Sequence, residues 1–567
     1  LSTYEFTMLD YERRVYDATT PDDWEKDIKK FTEIYGNYSD LEKNYGNRKG
    51  LDWQDETLGR TAITQNYRVG VSGGTDKLNY NLAYSYYDEE GAMVYSGNNK
   101  HNISFNMNHK VNDRLDITAR ISYDQMKITG MGTSEGGDRF NKMQHILQYR
   151  PTVGINGTDD LLLGDEDPIF LDDSGNVMQN PLLSAAEETN DREYRTFQAN
   201  GGFTLKLFKG LSFRNTTGMR YQTRRNDVFY GDKSITAKRS SINGSIQNLE
   251  TGSFQTSNVL NYNWSGKGHD VTAMVGQEYV DRWNRNFKAA ASNFPNDDIG
   301  LADLSLGLPT AVQSAENYDD KLLSFFARFN YGFKDKYLFT ASVRADGSSK
   351  YQEKWGYFPS VGAAWNISEE GFMKDQKWVD YLKLRASWGK LGNDKVAASD
   401  GFASITQDMG TSGIFGGSAV PGYTNLVYFS WLGWEVVNET NVGLDFRTLN
   451  SRLTIEADWY YRLTQNAVID APLPMGAGNL LGNRGEILNT GVELSFNWAD
   501  KIGKDFSYYI GANLTTLHNE VKDLNGLSYL YGGSAEFRTI SQVGGELNAY
   551  YGYDIEGVYQ NAAEIAA

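Results

Sequence analysis

Residues 453–463 read Leu-Thr-Ile-Glu-Ala-Asp-Trp-Tyr-Tyr-Arg-Leu. Leu453, Ile455, Ala457, Trp459, Tyr461 and Leu463 take every odd position, and Thr454, Glu456, Asp458, Tyr460 and Arg462 take the even ones. A period of two marks an extended strand with one apolar and one wet face; a helix would return its apolar residues at three and four. The run is about twice a typical globular strand. A tilted strand needs roughly 9–11 residues to cross a bilayer.

The pattern recurs. Ile103, Phe105 and Met107 alternate with Asn102, Ser104, Asn106 and Asn108. Leu115, Ile117, Ala119, Ile121 and Tyr123 alternate with Asp116, Thr118, Arg120 and Ser122. Tyr337–Arg344, Leu382–Trp388 and Val492–Trp498 behave alike. Roughly eight hairpins, about sixteen strands, fit between residues 67 and 515. The expectation is an all-β chain: one large antiparallel transmembrane β-barrel. The polar strand residues Asp116, Arg120, Glu456, Asp458, Arg462 and Glu493 should face its lumen, and Ile117, Ile455, Trp459 and Leu494 should face lipid.

Connections alternate in length. Short, Gly/Asn/Asp-rich turns stand at Gly73–Asp76, Val111–Arg114, Lys209–Gly210, Ser265–Gly268, Gly332–Asp335 and Asn450–Ser451. Long connections are expected over 124–194, 222–253, 281–320, 389–437 and 464–488. Outer-membrane barrels place short turns on the periplasmic side and long loops outside. A soluble sandwich gives no reason for that sorting. Glu25–Tyr35 has a helical look, and so do Phe140, Met143, Ile146 and Leu147 before the stop at Pro151.

Composition agrees. No Pro- or Ser-rich linker divides the 567 residues, so residues 67–567 read as barrel with long loops and residues 1–66 as an early loop region with a short helix. Mean hydropathy is −0.55, which suits a barrel whose strands are half polar. Lys and Arg number 55 against 73 Asp and Glu, a net charge of −18. Such a surface repels nucleic acid. Cysteine is absent, which removes disulfides and thiolate metal sites. Residues 1–10 lack the basic start and apolar core of a signal peptide.

No motif points to covalent chemistry. Gly-x-Ser-x-Gly occurs at Gly70–Gly74, in a turn, and at Gly132–Gly136, ahead of a helical stretch with His145; a nucleophile elbow needs strand, turn and helix in immediate succession. Gly410–Gly417 lacks the Lys of a phosphate loop and reads as a flexible loop. The histidines His101, His109, His145, His269 and His518 show no i, i+4 pair. Asp165-Glu166-Asp167 and Asp172–Asn176 crowd oxygens in one external loop, where calcium is the weak candidate and a solvated acidic loop the better reading. No cofactor is expected. The substrate-binding candidates are Tyr423, Tyr428 and Trp431, in the aromatic-rich stretch that also holds Phe429 and Trp434. Aromatic rings at a pore mouth stack on sugars or peptide side chains. Loop packing is the competing role, preferred for Trp434 and equally open for Tyr428 and Trp431.

Several strings resemble the SusC/RagA family of TonB-dependent outer-membrane transporters. They include Asp52-Trp53-Gln54-Asp55-Glu56, Val71-Ser72-Gly73-Gly74, Tyr337–Ser349, Trp355-Gly356-Tyr357-Phe358-Pro359-Ser360, Lys383–Asn393, Gly482–Glu486 and Asn489–Leu494, the last read as the opening of a strand. The resemblance implies a 22-stranded barrel around an N-terminal plug, a SusD-like lipoprotein lid, energy from TonB, and oligosaccharide or peptide cargo in the bacterial outer membrane. It also allows a dimer of transporter–lid pairs. A plug would precede Leu1, and Leu547–Asn561 resembles a segment followed by further strands. Active glycan or peptide import is the leading expectation. Siderophore or cobalamin import on the same fold, and a secreted β-rich adhesin or enzyme built from sandwiches, are the alternatives.

Overall fold

The computed structural model describes residues 1–17, 20–130, 142–152, 179–316, 320–397, 400, 404–415, 418–427, 431–472, 479–534, 537–555 and 557. Its centre is one antiparallel sheet. The first eight strands are β1 (Thr64–Gly74), β2 (Leu78–Glu90), β3 (Gly97–Lys110), β4 (Leu115–Thr129), β5 (Glu188–Phe208), β6 (Leu211–Tyr230), β7 (Asn243–Gly266) and β8 (His269–Ser292). Next come β9 (Leu308–Glu316), β10 (Asp320–Phe333), β11 (Tyr337–Ser348), β12 (Trp355–Asn366) and β13 (Tyr381–Asn393). A separate hairpin, β14 (Ser404–Phe415) and β15 (Ser418–Val427), precedes β16 (Glu435–Thr448), β17 (Leu453–Pro472), β18 (Asn479–Ile502), β19 (Phe506–Thr515) and β20 (His518–Asp523). A small three-stranded sheet follows: β21 (Tyr529–Gly533), β22 (Arg538–Gln542) and β23 (Ala549–Tyr550).

The large sheet has 18 strands, which follow one another round it in chain order, with β13 beside β16. Strands β9 and β10 lie end to end along β8, and β19 and β20 end to end along β18, so the strands fill sixteen lanes. This matches the expected number. It excludes the sandwich reading, which needed strands of five or six residues in paired layers. Strands β7, β8 and β18 each run 24 residues, roughly 80 Å at about 3.4 Å per residue.

Register sorts the two faces. Val492, Trp459, Val442, Ala386, Ala363, Phe339, Tyr331, Val271 and Trp264 oppose one another in turn across nine strands. One residue over, the row is Tyr460, Asn441, Ser387, Gly362, Thr340, Asn330, Thr272 and Asn263. An unbroken apolar row beside an unbroken polar or glycine row leaves one arrangement in a membrane: the first against lipid, the second against water. Every predicted lumen residue, from Asp116 to Glu493, falls on the polar face, and Ile117, Ile455, Trp459 and Leu494 fall on the apolar one. His101, His109 and His269 lie on the apolar face near its two margins.

One patch departs. Asn215, Thr217, Thr256, Asn258 and Gln277 sit on the apolar face of β6–β8, between Phe213, Leu260 and Val275 on one side and Met219 and Phe254 on the other. Asn215 Nδ2 donates to Asn258 Oδ1 at 2.8 Å, Asn258 Nδ2 to Gln277 Oε1 at 3.2 Å, and the Thr217 and Thr256 hydroxyls lie 2.9 Å apart.

Seven turns at one end are short. In the turn between β7 and β8, Lys267 and Gly268 both take left-handed φ, 54° and 79°, the handedness that matches strand twist. The long connections lie at the other end, yet several are shorter than expected. Strand β6 continues to Tyr230 and β7 starts at Asn243; β8 reaches Ser292, β17 reaches Pro472 and β18 begins at Asn479. Gly491 therefore lies mid-strand rather than at a strand's start. The connection 389–437 carries the β14–β15 hairpin, so residues 410–415 are strand and not flexible loop.

Residues 1–66, expected as loop with one short helix, hold four: α1 (Thr3–Asp17), α2 (Pro21–Tyr35), α3 (Leu41–Tyr45) and α4 (Trp53–Leu58). Thr20 caps α2, accepting from the Asp23 N–H, and Pro21 opens it. Phe31, Tyr35, Leu41 and Tyr45 form a buried aromatic core. A second core joins Trp53 and Met93 to Ile146 of α5 (Lys142–Gln148), to Tyr149 just after it and to Ala185 of α6 (Pro181–Ala186). The helices thus dock at the long-loop end, where β2–β3 and β4–β5 connect.

Candidate functional site

The polar face is cross-linked by charge. Arg385 on β13 holds Asp458 on β17 with two bonds of 2.8 Å, and its Nε donates to Asp445 on β16 at 3.0 Å. A fork-on-carboxylate contact fixes both partners in one plane. Gly443, between them, leaves the space this needs, for a Cβ there would lie 2.5 Å from Asp458 Oδ1. On the neighbouring strands Arg344 binds Asp346 at 2.7 Å, Glu278 at 3.2 Å and the Ser324 hydroxyl at 2.8 Å. Arg462 meets Glu439 at 2.8 Å.

Two recesses indent this wall. One, about 660 Å³, is lined by Arg344, Asp346, Ser342, Ser360, Gly389 and Glu439 among others. The second, about 560 Å³, takes Asp270, Thr272, Asn330, Arg385, Ser387 and Asn441. Carboxylates, guanidinium groups, hydroxyls and amides side by side offer donors and acceptors to a polar polymer and bring no nucleophile–base pair with them.

The rim is built differently. Tyr351, Phe358, Leu432 and Trp434 form a buried cluster. Trp434 Nε1 donates to the Lys354 carbonyl at 3.0 Å, the Tyr351 hydroxyl to the Asn393 carbonyl at 2.9 Å, and the Gly433 N–H to Asn483 Oδ1 at 2.7 Å. Burial pushes the Tyr351 hydroxyl pKa up, with Asp394 and Glu435 adding to it. Trp434 is therefore a packing residue, and it anchors the segment carrying Trp431, whose side chain is 69% exposed. Tyr423 lies on β15 opposite Gln407. Tyr428, Phe429, Gly132–Gly136 and both acidic clusters of the external loop lie outside the described residues.

On the opposite part of the rim, Lys142 of α5 forms a buried ion pair with Glu188 at the start of β5. Ser184 Oγ donates to Glu188 Oε1 at 3.0 Å and accepts from the Ile235 N–H at 2.9 Å, tying two loops together. His145 on α5 is buried beside them. Burial, with Arg239 and Lys142 near, lowers its pKa to about 4. Sequence reasoning missed the Lys142–Glu188 pair and the Ser184–Ile235 contact, since the first joins residues 142 and 188 and the second residues 51 positions apart.

An antiparallel sheet with a continuous lipid-facing belt, a charged inner wall and loops sorted by side is a transmembrane β-barrel. Residues 145–564 match the model of the TonB-dependent receptor-like β-barrel, and the chain belongs to that family of outer-membrane proteins. It is 26% identical to TonB-dependent receptor P3 of Formosa agariphila over 528 residues, covering 90% of this chain and 51% of the relative. It is 27% identical to SusC of Bacteroides thetaiotaomicron over 495 residues, covering 84% and 48%. The chain thus spans about half the length of the curated relatives it matches. Among solved structures, the RagAB peptide importer in its closed-closed state superposes with a TM-score of 0.75 at 24% identity, over 97% of this chain and 61% of that one. The ferric citrate transporter FecA gives 0.50 at 10% identity over 82% and 58%.

Proposed function

We propose that the complete protein imports oligosaccharides or peptides across the outer membrane, drawing on TonB and working with a SusD-like surface lipoprotein. The observation that carries this is the ion-paired, recessed inner wall beneath a rim of long strands. Its chemistry suits polar, extended cargo. The likeness to SusC and to RagAB supports a Sus- or Rag-type importer over a siderophore or cobalamin receptor. Exposed Trp431, with Tyr423 and Tyr428, would supply stacking surface at the mouth. No step makes or breaks a covalent bond. The test is a binding panel of oligosaccharides and peptides on the full-length transporter with its lid. One class should bind, and Trp431→Ala should weaken it by roughly 1–3 kcal/mol. Binding of ferric chelates alone would contradict the reading.

We also propose that two copies associate in the membrane. The Asn215–Gln277 patch supports this, because amides against hydrocarbon are costly unless another polypeptide meets them. Native mass spectrometry should find a dimer that Asn215→Leu/Asn258→Leu/Gln277→Leu weakens; a monomeric wild type would contradict it.

A further inference from the structure

Seven connections at the short-turn end hold two to four residues; the eighth, 367–380 between β12 and β13, holds fourteen. The extra length folds onto the outside of the wall. Glu370 accepts from the Tyr337 hydroxyl at 2.6 Å, from Lys336 Nζ at 3.0 Å and from Trp365 Nε1 at 3.2 Å. Tyr337 and Trp365 oppose each other on the apolar face, at the short-turn ends of β11 and β12, and Leu384 follows them on β13. At the far end of the connection the Trp378 carbonyl accepts from the Thr448 hydroxyl, and Asp380 Oδ2 accepts from the Ser451 N–H at 2.8 Å. Thr448 also belongs to the apolar face, two residues beyond Phe446. Both ends of the connection are thus fastened to the lipid side of the sheet.

It is braced from within as well. Gln376 Oε1 accepts from the Trp378 and Val379 N–H groups at 3.0 and 2.7 Å, Gln376 Nε2 donates to the Val379 carbonyl at 2.7 Å, and the Val379 side chain is buried. Phe372 and Trp378 nevertheless stay 69% and 68% exposed. A fixed turn holds both rings outward, and the described residues leave them uncovered. Such rings call for a medium that takes up apolar area.

We propose that this connection is a lip seated in the periplasmic leaflet, with Phe372 and Trp378 buried among phospholipid headgroups and the first acyl carbons. The short-turn end is the periplasmic side of an outer-membrane barrel. The two rings extend the row of Tyr337, Trp365 and Leu384, which lipid already covers, so a soluble periplasmic protein would have to displace that lipid to reach them. An indole suits the boundary because its ring is apolar and its N–H polar. The aromatic girdle of a barrel is made of strand residues; here a connection between strands adds to it. Lys374 and Lys377 can lay their stems along the acyl region and bring their ammonium groups to phosphates. Glu369 and Asp375 balance their charge, so apolar burial holds the lip. The inference rests on the outer-membrane placement and not on the transport reading.

The test uses the full-length protein in phosphatidylethanolamine/phosphatidylglycerol vesicles, with a spin label on a single cysteine at 372, 378, 457 or 504. Collisions with oxygen, which concentrates in hydrocarbon, are compared with collisions with a water-soluble nickel chelate. The oxygen-to-nickel ratio should be highest at 457, in the lipid belt, and lowest at 504, in the short turn between β18 and β19. At 372 and 378 it should exceed the value at 504 several-fold and stay below that at 457. Lys377→Cys serves if Trp378→Cys fails to fold. Ratios at 372 and 378 equal to that at 504 would overturn the proposal. So would labels at both positions shielded from oxygen and nickel alike, the result a protein cover would give.

Discussion

Two adjacent residues on β17 give a quantitative test of the fold. Ala457 is the middle of the outward run from Leu453 to Leu463 and pairs with Leu444 and Leu494. Glu456, one residue before it, pairs with Asp445 and Ser495 on the polar face. Ala457→Arg removes almost no packing, so its cost is that of placing a guanidinium near the bilayer midplane, roughly 2–4 kcal/mol. That shifts the folding equilibrium by roughly 30- to 1,000-fold. Glu456→Arg puts the same side chain in water beside Asp445 and should cost less than about 1 kcal/mol. The assay is urea titration of folding into liposomes, followed by heat-modifiable gel migration. An Ala457→Arg variant as stable as wild type, or a Glu456→Arg variant equally damaged, would refute the assignment of faces.

Other consequences follow from single contacts. Trp434→Ala opens a cavity in the rim cluster; it should destabilise that cluster by roughly 3–5 kcal/mol, seen as faster proteolysis between residues 394 and 434. Arg385→Met leaves Asp458 without its guanidinium beside Asp445, which keeps only the looser Lys383 contact at 3.9 Å, at a cost of roughly 1–3 kcal/mol, and adding Asp458→Asn should recover part of the loss in the same urea titration. His145 is held neutral, so protons bind it in the unfolded state first. The stability this contributes is complete above about pH 6.5, declines as pH falls toward about 4, and amounts to on the order of 3 kcal/mol. The hydrogen-exchange protection factors of residues 142–148, referenced to the intrinsic rate at each pH, should therefore fall between pH 7 and 4.5, and His145→Leu should abolish that dependence.

The barrel was legible because its signal is local: Ile117 and Asp116, or Trp459 and Asp458, reveal opposite faces without knowledge of partners. The lengths of the loops were not. Beyond the belt, β5 reads Glu-Thr-Asn-Asp-Arg-Glu and β6 carries Arg224, Arg225, Asn226 and Asp227. Both faces are polar there, so the hydrophobic alternation fades while the hydrogen-bonded ladder continues. Helix α1 escaped notice for a related reason. Its buried side is Thr3, Thr7 and Asp10, with Thr3 Oγ1 donating to the Tyr45 and Arg48 carbonyls at 2.7 and 2.9 Å. A polar buried stripe has no hydrophobic period. The inner wall was half legible: Asp458 and Arg462 were placed on the correct face, but the Arg385 fork joins residues 73 positions apart, and nothing local foretells it. The Asn215–Gln277 patch likewise exists only once three strands are in register.

The central claim is that side chains along residues 453–463 alternate between hydrocarbon and water. With no native cysteine, each position is replaced in turn by cysteine in the full-length, lipid-embedded protein and carries a fluorophore whose quenching by brominated lipid is measured. The account predicts quenching at 455, 457 and 459 and water exposure at 456 and 458. Quenching at 456 and 458, with 455, 457 and 459 shielded, would contradict it.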